Sequence, residues 1–159
     1  MLKELIILIG NIGSGKSTLS DTYQKDGHIV ISRDSLRYAI GGGNYVFNLE
    51  YETALLKAEQ VLFTEFLEMG KDIIIDAVNS SRMTRTRYIL PAKEKGYIIK
   101  AIELPKLSKQ ESVDRRLNDP HGNFSKETWE EVWEMFDGIY QSPSIEENFD
   151  LINNLKKEK

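Results

Sequence analysis

A parallel sheet of about five strands flanked by helices is the fold this 159-residue sequence predicts, and three features predict it. Short apolar runs rich in isoleucine alternate with helix-like stretches, the pattern of strands joined by helical crossovers. The first run, Leu5-Ile6-Ile7-Leu8-Ile9, leads straight into Gly10-Asn11-Ile12-Gly13-Ser14-Gly15-Lys16-Ser17, a complete G-x-x-x-x-G-K-[ST] loop. A helix-like segment follows. Strand, glycine loop and helix in that order cradle phosphate: backbone N–H groups turn inward, and the helix N-terminus adds its positive end. The class is α/β, a P-loop NTPase or kinase fold with a small lid.

Each element has its own signal. Strand one spans 4–9, and its helix covers about 16–25, ending at Asp26-Gly27. Residues 28–32 form a short second strand. A brief helix over 34–40 stops at Gly41-Gly42-Gly43-Asn44. A long helix over 48–69 carries Leu49, Leu55, Leu62 and Phe66 at helical spacing, and Gly70 ends it. Residues 72–76 are strand three. The helix over 82–95 must accommodate Pro91, which bends or splits it. Strand four is 97–103. Ser108-x-x-Glu111 is a capping box. Residues 118–123 form a turn cluster, followed by a helix over 125–137. Residues 149–152 are a fifth strand, and 153–159 a polar, frayed tail. Residues 1–159 read as one domain with no internal repeat.

Composition excludes several functions. No cysteine is present, which removes disulfides, thiolate catalysis and cysteine–zinc sites. Two histidines cannot build a histidine metal cluster. No segment is long enough to span a bilayer, and the N-terminal run passes directly into the phosphate loop, so cytoplasmic residence and no membrane partner are expected. The net charge of −4 argues against a protein that coats nucleic acid. The charge is uneven, however. Between residues 77 and 100, Arg82, Arg85, Arg87, Lys93, Lys95 and Lys100 face only Glu94. That stretch reads as a face for a phosphodiester backbone or as a solvated helix face.

Ligands of an open α/β sheet bind beyond the carboxyl ends of its strands. After strand one, Lys16 would reach the β- and γ-phosphates and the Ser17 hydroxyl would ligate Mg²⁺. After strand two come Asp34 and Arg37, three apart on one helix face. Asp34 can take the proton of an attacking hydroxyl, and Arg37 can hold a phosphate; the bland reading is a helix cap with a surface ion pair. After strand three, Asp76 can hold the Mg²⁺ shell or simply cap the strand. Ala77 stands where many P-loop hydrolases carry a glutamate, which favours transfer to a bound hydroxyl. Asn79 orders its loop or touches substrate. Arg115 and Arg116 end the helix after strand four, either as lid arginines on ATP phosphates or as surface residues favoured by the helix dipole. Tyr45, Phe47 and Tyr51 could stack on a base, though core packing is the commoner role; Trp129 and Trp133 read as packing residues.

With these residues in place, nearly the whole chain resembles the kinase domain of polynucleotide 5′-hydroxyl kinases, the phage and bacterial end-healing enzymes. The matching pieces are Gly10–Ser17, Ser32-Arg33-Asp34-Ser35-Leu36-Arg37, Asp76-Ala77-Val78-Asn79 with downstream arginines, and Leu104-Pro105. The resemblance implies that Gly10 to Thr18 bind ATP with Mg²⁺ on Ser17 and Asp76. It implies Asp34 as general base on a DNA or RNA 5′-hydroxyl, Arg37 on the acceptor phosphate, and Arg115 or Arg116 on the donor. Asn79, Arg82 and Arg85 are expected along the acceptor. Two departures stand out: Val78 replaces the family's usual threonine, and no arginine follows Arg116 in the lid stretch. A small-molecule P-loop kinase and an ATP-binding regulatory module stay open as alternatives, as does the oligomeric state.

Overall fold

The computed structural model describes residues 2–119 and 121–157. Its five strands form one parallel sheet in the order β2-β3-β1-β4-β5. They are β1 (Glu4–Ile9), β2 (Ile29–Ile31), β3 (Ile73–Ile75), β4 (Ile98–Glu103) and β5 (Leu151–Asn154). Strand β1 lies at the centre, with Leu5 beside both Ile73 and Ile99. Leu5 to Ile9 are at most 1% exposed. A strand covered on both faces needs apolar residues on both, hence the unbroken run instead of alternation. Each such side chain contributes about 1.5–3 kcal/mol of burial.

The helices sort by face. Leu5, Ile7 and Ile9 pack against Phe63 and Leu67 of α3 (Leu49–Glu68) and Tyr88 and Ile89 of α4 (Arg82–Glu94). Ile6 and Leu8 point the other way, toward Leu19 and Tyr23 of α1 (Lys16–Lys25). A third cluster joins Ile12 of the phosphate loop to Val113 of α5 (Lys109–Asn118) and Trp129 of α6 (Lys126–Gly138). The short α2 (Arg33–Ile40) follows β2, with Ser32 as its cap accepting from the Ser35 N–H. Both halves of the Ser108–Glu111 capping box form at α5. Pro91 neither splits nor ends α4: it falls in the last turn, where its missing N–H costs the helix one bond near its end.

The chain's last expected strand is displaced. It lies over Leu151–Asn154, two residues beyond 149–152. Phe149 is instead buried in the core, and the Asp150 carboxylate accepts the Ile99 N–H at 2.8 Å. The frayed tail is likewise corrected: Asn153 and Asn154 are paired with β4, and the Leu155 N–H donates to the Glu103 carbonyl at 2.9 Å. Glu158 and Lys159 of that expected tail, and Pro120 of the turn cluster, lie outside the described residues. A 3-10 turn over Ile145–Glu147 precedes β5; its signal, the Ser144-x-x-Glu147 capping box, was missed in the sequence pattern.

Candidate active site

The phosphate loop is held by close packing of its glycines. A Cβ on Gly10 would come within 2.6 Å of Ser14 Oγ, and one on Gly13 within 2.7 Å of the Ser112 carbonyl. Gly15 caps α1 at φ 99° with no side-chain acceptor, so the first N–H groups of α1 are left for a ligand. Asn11 ties the loop to α6 through Nδ2 and the Trp133 carbonyl, 3.0 Å apart. Lys16 is buried, and its Nζ donates to the carbonyls of Gly10 and Asn11, both at 2.8 Å. Burial pushes the Lys16 ammonium down to about 8, against the attraction of Asp76 and Asp34. Ser17 and Thr18 stand exposed on the first turn of α1.

Asp76 follows β3, and its Oδ2 accepts the Ser20 hydroxyl at 2.8 Å. Burial raises the Asp76 carboxyl, while Ser20, Lys16 and Ser17 pull it back. Ser17 and Asp76 thus face one another as hard oxygen donors, a set suited to Mg²⁺. Among the described residues no group of three or more His, Cys, Asp and Glu could enclose an ion. This fits a metal carried mainly by phosphates and water.

On the β2–β3 side of the loop lies a cavity of about 350 Å³, lined by Asp34, Arg37, Asp76 and Arg116 together with aromatic rings. Arg37 is gripped by Glu52 of α3, Nε to Oε1 at 3.0 Å and Nη2 to Oε2 at 2.6 Å. Its Nη1 donates to Asp34 Oδ1 at 2.6 Å. Burial works against the Arg37 charge, but Glu52, Tyr45 and Asp34 outweigh it and hold Arg37 above the ordinary arginine value. Tyr45 also donates to Asp34 Oδ1, at 3.1 Å. Burial, with Asp34 beside it, pushes the Tyr45 phenol up.

Of the two arginines at the end of α5, Arg116 lines this cavity and Arg115 does not. Arg115 Nη1 donates to the Gly13 carbonyl at 3.2 Å, on the phosphate loop itself. Arg116 lies over the Trp129 ring, 5.4 Å from its centre, with a buried Nε that has no hydrogen-bond partner among the described residues. Burial lowers its pKa, and Asp34 and Asp119 oppose that. Across the cleft, His121 Nδ1 meets the Tyr38 hydroxyl at 2.8 Å.

The structure thus gathers Asp34, Arg37, Asp76 and Arg116, but not every expected acceptor residue. Asn79 lines the cavity yet is 2% exposed, with φ 50° and Nδ2 bound to the Leu8 carbonyl at 2.7 Å. Its visible work is to pin the loop after β3. Arg85 is corrected outright: it is fully buried, pairs with Glu147 at 2.8 and 3.0 Å, and holds the Asn79 carbonyl at 2.9 Å. It cannot reach an acceptor. Arg82 is exposed and turned toward Glu146 and Glu147. The basic stretch is largely consumed in the same way, with Lys93 on Asp150, Lys95 on Glu68 and Lys100 on Glu4. The aromatics also differ from expectation: Tyr45 and Phe47 line the cleft, Tyr51 is exposed on α3, and none of the three joins the core. Trp129 is a packing residue that also walls the cleft.

Pattern reading missed Glu52, Glu59, Tyr38 and His121. Glutamates on a long helix look solvent-facing; only the spacing of seven, which returns Glu52 and Glu59 to one face of α3, hints otherwise.

The strand order, the phosphate loop and the cleft beside it define a P-loop kinase domain. Residues 5–137 match the model of the AAA domain family, and the chain belongs to that family. A relative from Acanthamoeba polyphaga mimivirus, named "Putative bifunctional polynucleotide phosphatase/kinase", is 30% identical over 162 residues. The match covers 96% of this chain and 33% of that protein, so the chain spans about a third of the length of this curated relative. A chain of a Pnkp1/Rnl/Hen1 complex is similar at 27% identity and TM-score 0.59, over 72% of this chain and 39% of its own. A fungal RNA kinase shares the fold, with TM-score 0.65 and 19% identity over 100% of this chain and 79% of its own.

Proposed function

We propose that this domain transfers the γ-phosphoryl group of ATP to the 5′-hydroxyl end of DNA or RNA. One observation carries the reading: the cleft that touches the phosphate loop at Ile12 and the end of β3 at Asp76 also holds Asp34 and Arg37, a carboxylate and a guanidinium 2.6 Å apart. The mimivirus relative's name and the Pnkp1 likeness point to the same chemistry.

The Gly10–Thr18 loop and the N-terminus of α1 hold the ATP phosphates, and Lys16 exchanges its carbonyl partners for phosphate oxygens. Ser17 and Asp76 would hold Mg²⁺, which neutralises phosphate charge when bound. Asp34 takes the proton of the attacking 5′-hydroxyl. Arg37, pre-set by Glu52, holds the acceptor's phosphate. Arg116 has an Nε without a partner among the described residues that can serve the donor side, and Arg115 fastens the lid to the loop. The phosphoryl group then passes in a site shielded from water by the lid. Among the described residues no helix is long and apolar enough to cross a membrane.

A small-molecule acceptor is the second reading. The pairing of the basic stretch within the fold favours it, because little free positive surface is left for a polymer.

The deciding experiment is transfer of labelled γ-phosphate from ATP·Mg²⁺ to a 5′-hydroxyl oligonucleotide, with Asp34→Asn beside wild type. Transfer by wild type and a loss of at least about 100-fold in the variant, with ATP still bound, is the expected result. No transfer by a wild type that binds ATP would refute the polynucleotide reading and direct the search to small hydroxyl compounds.

A further inference from the structure

Helix α2 carries a second arginine on the face that holds Arg37. Arg33 lies one turn earlier, and residues four apart on a helix stand about 5–6 Å apart at Cβ. Both line the cleft with Asp34. Both are gripped from α3: Arg37 by Glu52, and Arg33 by Glu59, Nε to Oε2 at 3.0 Å. The two glutamates are seven apart, two turns, and so share one face of α3.

The two clamps differ in what they leave free. Glu52 takes two nitrogens of Arg37 and Asp34 takes the third. Glu59 takes only Nε of Arg33, and its other oxygen is satisfied by the Tyr88 hydroxyl. Glu59 is 2% exposed while the Arg33 side chain is 31% exposed. The carboxylate is thus buried structure, and the guanidinium above it presents Nη1 and Nη2, which form no hydrogen bond to the described residues. A guanidinium anchored at Nε, with a free fork at a cleft wall, is built to receive an anion.

We infer that Arg33 is a specificity residue that holds the second phosphate of the acceptor strand, making this site select a chain of nucleotides over a single one. The inference rests on the polynucleotide reading above and adds to it. Arg37 meets the phosphate next to the reacting nucleoside, and Arg33 meets the one after it. An acceptor with one phosphate therefore uses only the first contact.

The test compares two acceptors of the same nucleoside: a 3′-monophosphate, which carries one phosphate, and a trinucleotide with a 5′-hydroxyl. Wild type is expected to favour the trinucleotide in kcat/KM. Arg33→Gln should lower kcat/KM for the trinucleotide about tenfold, mostly through KM, and leave the mononucleotide within about twofold. Arg33→Lys should recover part of the loss, since it keeps charge without the fork. The mononucleotide rate doubles as the folding control, because a damaged protein loses both activities. Equal loss on both acceptors, no loss on either, or a wild type indifferent to the second phosphate would each overturn the inference. A wild type that phosphorylates the mononucleotide but no oligonucleotide would refute the polynucleotide reading itself, and the inference with it.

Discussion

Lys16 shows how a single residue is set for its ligand before the ligand arrives. Two loop carbonyls and a hydroxyl hold its ammonium, yet burial keeps its pKa at about 8. Since this lies below the ordinary lysine value of 10.5, its contribution to folding stability rises as pH rises through that interval. Phosphate oxygens reverse the trend, because they favour the charged form. ATP affinity should therefore be flat below about pH 8 and fall above it, with proton uptake on binding. Calorimetry at pH 8.5 in two buffers of different ionisation enthalpy measures that uptake, and Lys16→Met should abolish it. Binding by wild type with no proton exchange would show that the ammonium does not engage the phosphates. The loop itself was legible in the sequence because its geometry is local: glycine spacing and one lysine specify it. The partners of Arg37 were not, because nothing near Arg37 in sequence names Glu52.

At the scale of elements, α4 and the loop before it depend on one buried ion pair. Arg85 joins α4 to the 3-10 turn through Glu147, and to the loop through the Asn79 carbonyl. Arg85→Ala should cost about 3–5 kcal/mol, since it strands a buried carboxylate. Arg85→Met combined with Glu147→Leu should recover most of that, because an apolar pair of similar size carries no desolvation penalty. Urea midpoints of the three proteins measure this. A single-variant cost below about 1 kcal/mol, the level of an exposed pair, would place the pair at the surface. The pair was illegible beforehand because its partners are 62 residues apart, and a run of arginines looks the same whether it meets solvent or an acid. The α5 cap was legible for the opposite reason, with both halves inside four residues. The register of β5 went astray because Phe149, apolar and next to the strand, is claimed by the core instead.

The whole molecule carries a net charge of −4, and its basic stretch is largely answered by acids within the fold. A polymer acceptor must therefore be held at the cleft, by few contacts. The logarithm of acceptor affinity against the logarithm of salt should have a slope of about −1 to −2, the value for two phosphates contacted on a single strand. Fluorescence anisotropy with a labelled oligonucleotide between 50 and 200 mM salt gives that slope. A slope of −5 or steeper would mean a broad basic surface that the ion pairs argue against. The α/β class and the cleft's position were readable from strand–helix alternation, because the ends of parallel strands fall on one side of the sheet. Which charges remain free was not, since that depends on how distant elements meet.

The central place of β1 has a consequence for the order in which this protein comes into being on the ribosome. Leu5 to Ile9 leave the exit tunnel well before their sheet partners, residues 73–75 and 98–103. The Gly10 N–H waits for the Val78 carbonyl, and the Ile9 carbonyl for the Leu104 N–H. At about 5–20 residues per second, the nascent chain carries a bare apolar segment for seconds before anything can cover it. The phosphate loop's strand is thus covered only once β4 has emerged, and nascent chains that stop between β1 and β4 are clients for a chaperone.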